Sequence, residues 1–180
     1  GVLAVSWSPD GKRLLVSAQS QSLRIYDVES GEVTLSGQRG IIWLRRVDWS
    51  PDGKRFAASY YTGDGPARSV LICDAKTGEA VLPPLQCEHE PRALAWSPDG
   101  SILAVAVARP PEGLPQLTSG AGSGRVKLFS ASTGKELAAS AYVAAQCEAV
   151  AWSPDGTRLA AAGDRLRVFD SALHPQPFAA

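Results

Sequence analysis

The pentapeptide Trp-Ser-Pro-Asp-Gly occurs four times in this chain of 180 residues, beginning at Trp7, Trp49, Trp96 and Trp152. Successive copies lie 42, 47 and 56 residues apart, spacings that point to one supersecondary unit repeated along the chain. A second signature keeps step with the first. Leu23-Arg-Ile-Tyr-Asp27, Val70-Leu-Ile-Cys-Asp74, Val126-Lys-Leu-Phe-Ser130 and Leu166-Arg-Val-Phe-Asp170 align without gaps. The first three run on into Ser30-Gly31-Glu32, Thr77-Gly78-Glu79 and Thr133-Gly134-Lys135. From the end of each of those three segments to the next repeat Trp the distance is always 22 residues. From the Trp to the end of the segment it is 20, 25, 34 and 18. Length variation is therefore confined to one connection per repeat, and function is to be sought there.

Each unit reads as four strands, a to d. Strand a alternates apolar residues up to the Trp (Val5 and Trp7, Val47 and Trp49, Leu94 and Trp96, Val150 and Trp152), which puts each pair on one sheet face. Strand b follows at Leu14–Val16, Phe56–Ala58, Ile102–Val107 and Leu159–Ala162, strand c is the second signature, and strand d is short, as at Val33–Leu35 and Ala80–Leu82. Pro-Asp-Gly suits the a–b turn, because Pro presets φ, Asp bonds back to the backbone and Gly takes positive φ. Ser/Thr-Gly-Glu serves similarly between c and d.

These residues resemble the blades of WD-repeat β-propellers over nearly the whole chain, with a more distant resemblance to TolB-like propellers. The family's Trp-Asp dipeptide stands here as Tyr26-Asp27, Cys73-Asp74, Phe129-Ser130 and Phe169-Asp170, and its Gly-His pair before strand a is missing from every repeat. The family's buried Asp-His-Ser/Thr-Trp network is thus mostly absent, and apolar packing between sheets is expected to hold the blades together. The resemblance implies an all-β fold of four four-stranded antiparallel sheets, with blades at about 1–38, 39–84, 85–141 and 142–180. Because the chain opens at Gly1 on a strand a, it reads as an open arc, a fragment of a larger six- to eight-bladed propeller. Such an arc leaves apolar faces uncovered on its end blades, where self-association is expected.

Lys plus Arg equals Asp plus Glu, 18 each, so no global field steers polyanions toward the chain and nucleic acid is disfavoured as a partner. Apolar runs fall short of the ~20 residues of a membrane helix. Cys87 and Cys147 precede strands a at different offsets from their Trp, 9 and 5. That spacing and the lone Cys73 fit reduced thiols and a cytoplasmic setting better than a bridge or a metal site.

In an antiparallel blade the b–c and d–a loops leave from one face and the a–b and c–d turns from the other. The turn face is monotonous in sequence, whereas the loop face is not. Two b–c loops are enlarged, Tyr60 to Arg68 in blade 2 and Arg109 to Gly124 in blade 3. The latter, rich in Pro and Gly, reads equally as a functional or a disordered loop. Among the d–a connections, blade 2 has Ile41-Ile42-Trp43, followed by Arg45 and Arg46, where blade 3 has Glu88-His89-Glu90. Trp, Tyr and Arg are enriched at binding hot spots. Ile41, Ile42, Trp43, Arg45, Arg46, Tyr60 and Tyr61 are accordingly the candidate protein-binding residues. A structural alternative stands beside this: Ile41 and Trp43 pack under the loop and Arg46 pairs with Asp48. Glu88-His89-Glu90 reads as a charged loop tip.

No nucleophile elbow, phosphate loop or paired-cysteine motif occurs, and the turn aspartates do not supply the closely spaced oxygens of a calcium loop. The residues just before the repeat Trp (Ser6, Asp48, Ala95 and Ala151) make no ring of like ligands for a channel-bound ion. The expectation is a non-enzymatic scaffold without cofactor or metal, binding another protein or peptide through its loop face. The alternative is the propeller portion of a larger enzyme, a peptidase or a kinase.

Overall fold

The computed structural model describes residues 1–18, 22–36, 43–61, 68–109, 123–140, 143 and 147–177. Every helix or strand among them is a strand, and sixteen strands form four four-stranded antiparallel sheets, each a meander in chain order. Blade 1 consists of β1 (Val2–Trp7), β2 (Arg13–Ala18), β3 (Ser22–Asp27) and β4 (Val33–Ser36), and blade 2 of β5 (Trp43–Trp49), β6 (Arg55–Tyr61), β7 (Ser69–Asp74) and β8 (Leu85–Gln86). Blade 3 consists of β9 (Glu90–Trp96), β10 (Ile102–Arg109), β11 (Ser123–Ser130) and β12 (Glu136–Ala139), and blade 4 of β13 (Cys147–Trp152), β14 (Arg158–Gly163), β15 (Leu166–Asp170) and β16 (Pro175–Gln176).

One strand departs from its expected place. In blade 2 the fourth strand is not Ala80–Leu82: Ala80 makes a single bridge to Cys73, and pairing resumes at Leu85–Gln86 against Val70 and Ser69. Pro83 and Pro84 intervene, and a proline has no N–H to give a ladder.

The a–b turn is held by a residue that the turn chemistry of Pro, Asp and Gly leaves out. Ser8 Oγ donates to Asp10 Oδ1 at 2.5 Å and accepts the Arg13 amide at 2.8 Å, while Asp10 also accepts the Lys12 amide at 3.0 Å. Ser50, Ser97 and Ser153 repeat the donation to Asp52, Asp99 and Asp155 at 2.6, 2.5 and 2.5 Å. Gly11, Gly53, Gly100 and Gly156 take φ between 65° and 71°, the region an L side chain avoids. In the c–d turn of blade 1, Asp27 caps the amides of Glu29 and Ser30 at 3.1 and 2.8 Å. Blade 4 has no glycine in this turn, and Leu173 itself takes φ 65°, its side chain buried in the core below.

The chain divides into two compact units, Gly1–Cys87 with Ser132–Gly134, and Glu88–Ala131 with Lys135–Ala180. In the first unit, Leu15, Leu23 and Ile25 of blade 1 pack against Val47, Trp49, Phe56, Leu71 and Cys73 of blade 2. In the second, Ala104, Ala106, Val126 and Leu128 of blade 3 pack against Val150, Leu159, Ala161 and Phe169 of blade 4. Apolar side chains between sheets thus form both cores, as the lost polar network leads one to expect. A hydrogen bond accompanies each: the Trp49 indole donates to the Ser6 carbonyl at 3.1 Å, and the Trp152 indole to the Ala95 carbonyl at 3.3 Å. Trp49 and Trp152 are therefore each fastened to the blade before it in the same unit. Trp7, with Val2 and Val5, is exposed on blade 1, and Ala149, Ala151 and Leu166 are exposed on blade 4.

Candidate functional site

Strand a is irregular at the same point in every blade. Its register against strand b slips between Val2 and Ala4, Leu44 and Arg46, Pro91 and Ala93, and Cys147 and Ala149. The extra residue, four before the repeat Trp, is Leu3, Arg45, Arg92 or Glu148. A bulged residue leaves the ladder and its side chain is re-aimed. The strand's start, next to the d–a loop, thus presents Leu, Arg, Arg and Glu in turn on one fixed backbone device.

In blade 2 the bulged residue is Arg45, which is exposed. Arg46 is half-buried, and its amide donates to Ser59 Oγ at 3.0 Å. The register pairs Trp43 with Tyr61 and Leu44 with Tyr60, so the β5–β6 end brings four of the expected residues beside Arg46. Tyr60 is half-buried against the core of the first unit, over buried Leu44. Ile41 and Ile42, the side chains of Trp43 and Tyr61, and most of both enlarged loops (62–67 and 110–122) lie outside the described residues. Asp48, the expected partner of Arg46, accepts a hydrogen bond from Ser6 Oγ of blade 1 at 3.2 Å.

Glu88 of the expected charged tip Glu88-His89-Glu90 is exposed, and the carboxylates of the tip are ion-paired. Glu90 lies 3.2 Å from Arg92, whose guanidinium also reaches Glu148 of blade 4 at 3.9 Å. Glu88 lies 3.7 Å from Lys127, a nearly buried ammonium that Glu136 binds at 2.9 Å. A buried cation needs such carboxylates, because its desolvation is otherwise uncompensated. His89 is half-buried between them in sequence. All three cysteines are free and buried, and burial pushes the Cys73 thiol up to about 12 and the Cys147 thiol to about 11. These thiols are poor nucleophiles. Among the described residues no three His, Cys, Asp or Glu side chains group to hold a metal ion.

The turn face is less uniform than its sequence suggests. Six residues past the repeat Trp stand Arg13, Arg55, Ile102 and Arg158. In the first unit Arg13 lies over the Trp49 ring, Cζ 4.5 Å from the centroid, and donates to the Gly53 carbonyl at 2.8 Å. In the second unit, a cavity of about 350 Å³ opens between the turns of blades 3 and 4, lined by residues including Asp99, Ile102, Trp152, Asp155 and Gly156. Hydrogen bonds from Ser97 and Ser101 hold the Asp99 carboxyl at about 2, and those from Ser153 and Thr157 do the same for Asp155.

Residues 1–43 match the family profile described as the anaphase-promoting complex subunit 4 WD40 domain, and residues 140–170 match the WD domain, G-beta repeat. No curated protein matches the chain by sequence. Among solved structures, a chain of hydrazine synthase from Kuenenia stuttgartiensis is similar at a TM-score of 0.77 and 20% identity, over 94% of this chain. The chain spans 46% of that protein's length, and at this identity the likeness speaks to the fold alone. Four meander blades, the indole bonds of Trp49 and Trp152 to the blade before them, and WD40 matches over residues 1–43 and 140–170 together support a WD-repeat β-propeller family for this chain.

Proposed function

We propose that this chain is a non-enzymatic scaffold that binds another protein or peptide through the start of strand a in blade 2. Arg45, Arg46, Trp43, Tyr60 and Tyr61 form the surface, joined by Ile41 and Ile42 from the loop before it. The observation that carries the reading is the bulge. It takes Arg45 out of the ladder as an exposed residue near Tyr60, on a hairpin anchored by buried Leu44, Val47, Trp49 and Phe56. Rigid aromatic and Arg anchors lose little entropy on binding. WD40 domains generally bind other proteins, which supports the coarser statement. An affinity capture comparing the parent chain with a Trp43→Ala, Arg45→Ala variant of unchanged melting temperature tests the finer one. A partner held by the parent and lost from the variant supports it; identical captures overturn it.

The uncovered apolar faces of blades 1 and 4 support self-association as a second contact of the same scaffold. A competing reading makes the chain the propeller portion of a larger enzyme. The observation in its favour is that the similar solved chain is named as a synthase and is more than twice as long as the matched region. Reading the flanking coding sequence for a nucleophile elbow or kinase motifs separates the two.

A further inference from the structure

Blades 1 and 2 meet at their turns as blades 3 and 4 do. A Cβ built on Gly53 would lie 3.6 Å from Pro9 Cδ, and one on Gly156 would lie 3.5 Å from Pro98 Cδ. The two junctions share the Trp, the Pro, the Gly and the indole hydrogen bond to the preceding blade. They differ in the residue that lies between. Arg13 fills the first junction with a guanidinium stacked on Trp49 and bonded to the Gly53 carbonyl. Ile102 takes that position in the second. It supplies an apolar side chain and no charge, and the cavity over Trp152 stands where the guanidinium would be.

Trp49 is buried, whereas Trp152 is half-exposed. The charges differ in the same sense. Two residues past the turn aspartates, blades 1 and 2 carry Lys12 and Lys54, and blades 3 and 4 carry Ser101 and Thr157. The second junction therefore sets two ionised carboxylates, Asp99 and Asp155, in turns that carry no lysine, around a position where the first junction has Arg13.

We infer that the cavity over Trp152 is a socket for a guanidinium group, the side chain of an arginine presented by a partner protein. The flat cation stacks on the indole face, directs its in-plane N–H groups at the Gly156 carbonyl and the Asp155 carboxylate, and lays its methylene stem along Ile102. Lysine satisfies the charge but not the stack. The socket belongs to the turn face and stands or falls separately from the blade 2 surface.

The test follows the indole N–H resonances of the whole chain by NMR, with Trp152 assigned from a Trp152→Phe variant. Capped arginine (N-acetyl-arginine amide) is the probe; capped citrulline, capped lysine and methylguanidinium are comparators. The expected result is a saturable shift of the Trp152 signal, with capped arginine binding about fivefold more tightly than capped lysine and citrulline weaker still. Ile102→Arg fills the socket from within and abolishes the shift. Asp155→Asn removes one carboxylate from the socket and weakens the binding of capped arginine severalfold. A Trp152 signal that does not move, or that moves equally in the Ile102→Arg protein, overturns the proposal. Methylguanidinium binding as tightly as capped arginine overturns the side-chain source and leaves a small free cation as the ligand. Should Ile102→Arg fail to fold, the Asp155→Asn arm still decides, because undiminished binding of capped arginine at Trp152 contradicts the same geometry.

Discussion

Blades 1 and 2 carry the same apolar triplet on strand a, five and two residues before the repeat Trp and at the Trp itself. In blade 2, Leu44, Val47 and Trp49 are 2%, 8% and 4% exposed; in blade 1, Val2, Val5 and Trp7 are 66%, 57% and 56% exposed. Local sequence and strand geometry are alike, so the difference comes from the neighbour. Blade 1 covers the triplet of blade 2, and among the described residues nothing covers that of blade 1. Trp49 therefore acts as an adhesive between blades as well as a core residue of its own sheet. Its indole proton reaches the preceding blade, and its ring meets Phe56 edge-on at 6.3 Å on one side and the Arg13 guanidinium on the other.

The largest expected effect sharpens this contrast. Trp49→Ala should cost about 3–5 kcal/mol, the usual penalty for emptying a buried aromatic site. Trp7→Ala should cost about 0.5 kcal/mol or less, as at an exposed position. Urea melts of the two variants give the values, and equal losses would break the comparison. Next comes association. Trp7→Lys places a charge on the open face, and sedimentation velocity should show a concentration-dependent larger species in the parent that the variant lacks. A parent that stays monomeric at all concentrations removes self-association from the account.

Smaller effects test the guanidinium. Arg13→Ala should lose about 1 kcal/mol from one cation–π contact and one hydrogen bond at a partly exposed site, and Ile102→Arg should gain a similar or smaller amount. A stabilised Arg13→Ala protein would contradict the role given to that contact. The smallest effect is in pH. Asp99 and Asp155 are held at about 2, below the ordinary 3.8, by hydroxyl and amide donors. Each group's contribution is full above its unfolded pKa near 4 and is lost as pH falls through about 2. Ser97→Ala removes the leading donor to Asp99, so thermal melts between pH 5 and pH 2 should depend less on pH in that variant. An unchanged profile would show that the serine does not set the carboxylate.

Much of the fold was legible because its causes are local. The Trp-Ser-Pro-Asp-Gly repeat and the aromatic-Asp strand ends located three of the four strands of each blade, since alternation and turn chemistry act within a few residues. The fourth strand of blade 2 was misplaced because Pro83-Pro84 interrupts a segment that otherwise looks extended. The serine of the pentapeptide was overlooked, although it is the hub of the turn, because its hydrogen bonds appear only once the turn is closed. The ion pairs of the charged triplet Glu88-His89-Glu90 were only half legible: Glu90 meets Arg92 two residues on along the same strand, whereas Lys127, two strands away, reaches Glu88 only through sheet pairing. Of the candidate surface, composition revealed the Arg and aromatic residues of blade 2, whereas the bulge at Arg45 depends on register. Ile102 was legible in principle, as the one apolar residue among three arginines, but its meaning needed the Arg13–Trp49 contact.

The central claim, that the preceding blade shelters the repeat Trp, is tested most directly by hydrogen exchange at the indole N–H groups in dilute solution. The account predicts that Trp7 exchanges at close to the rate of a free indole, while Trp49, hydrogen-bonded to Ser6 and buried, is protected by orders of magnitude. Comparable protection at both positions would contradict it.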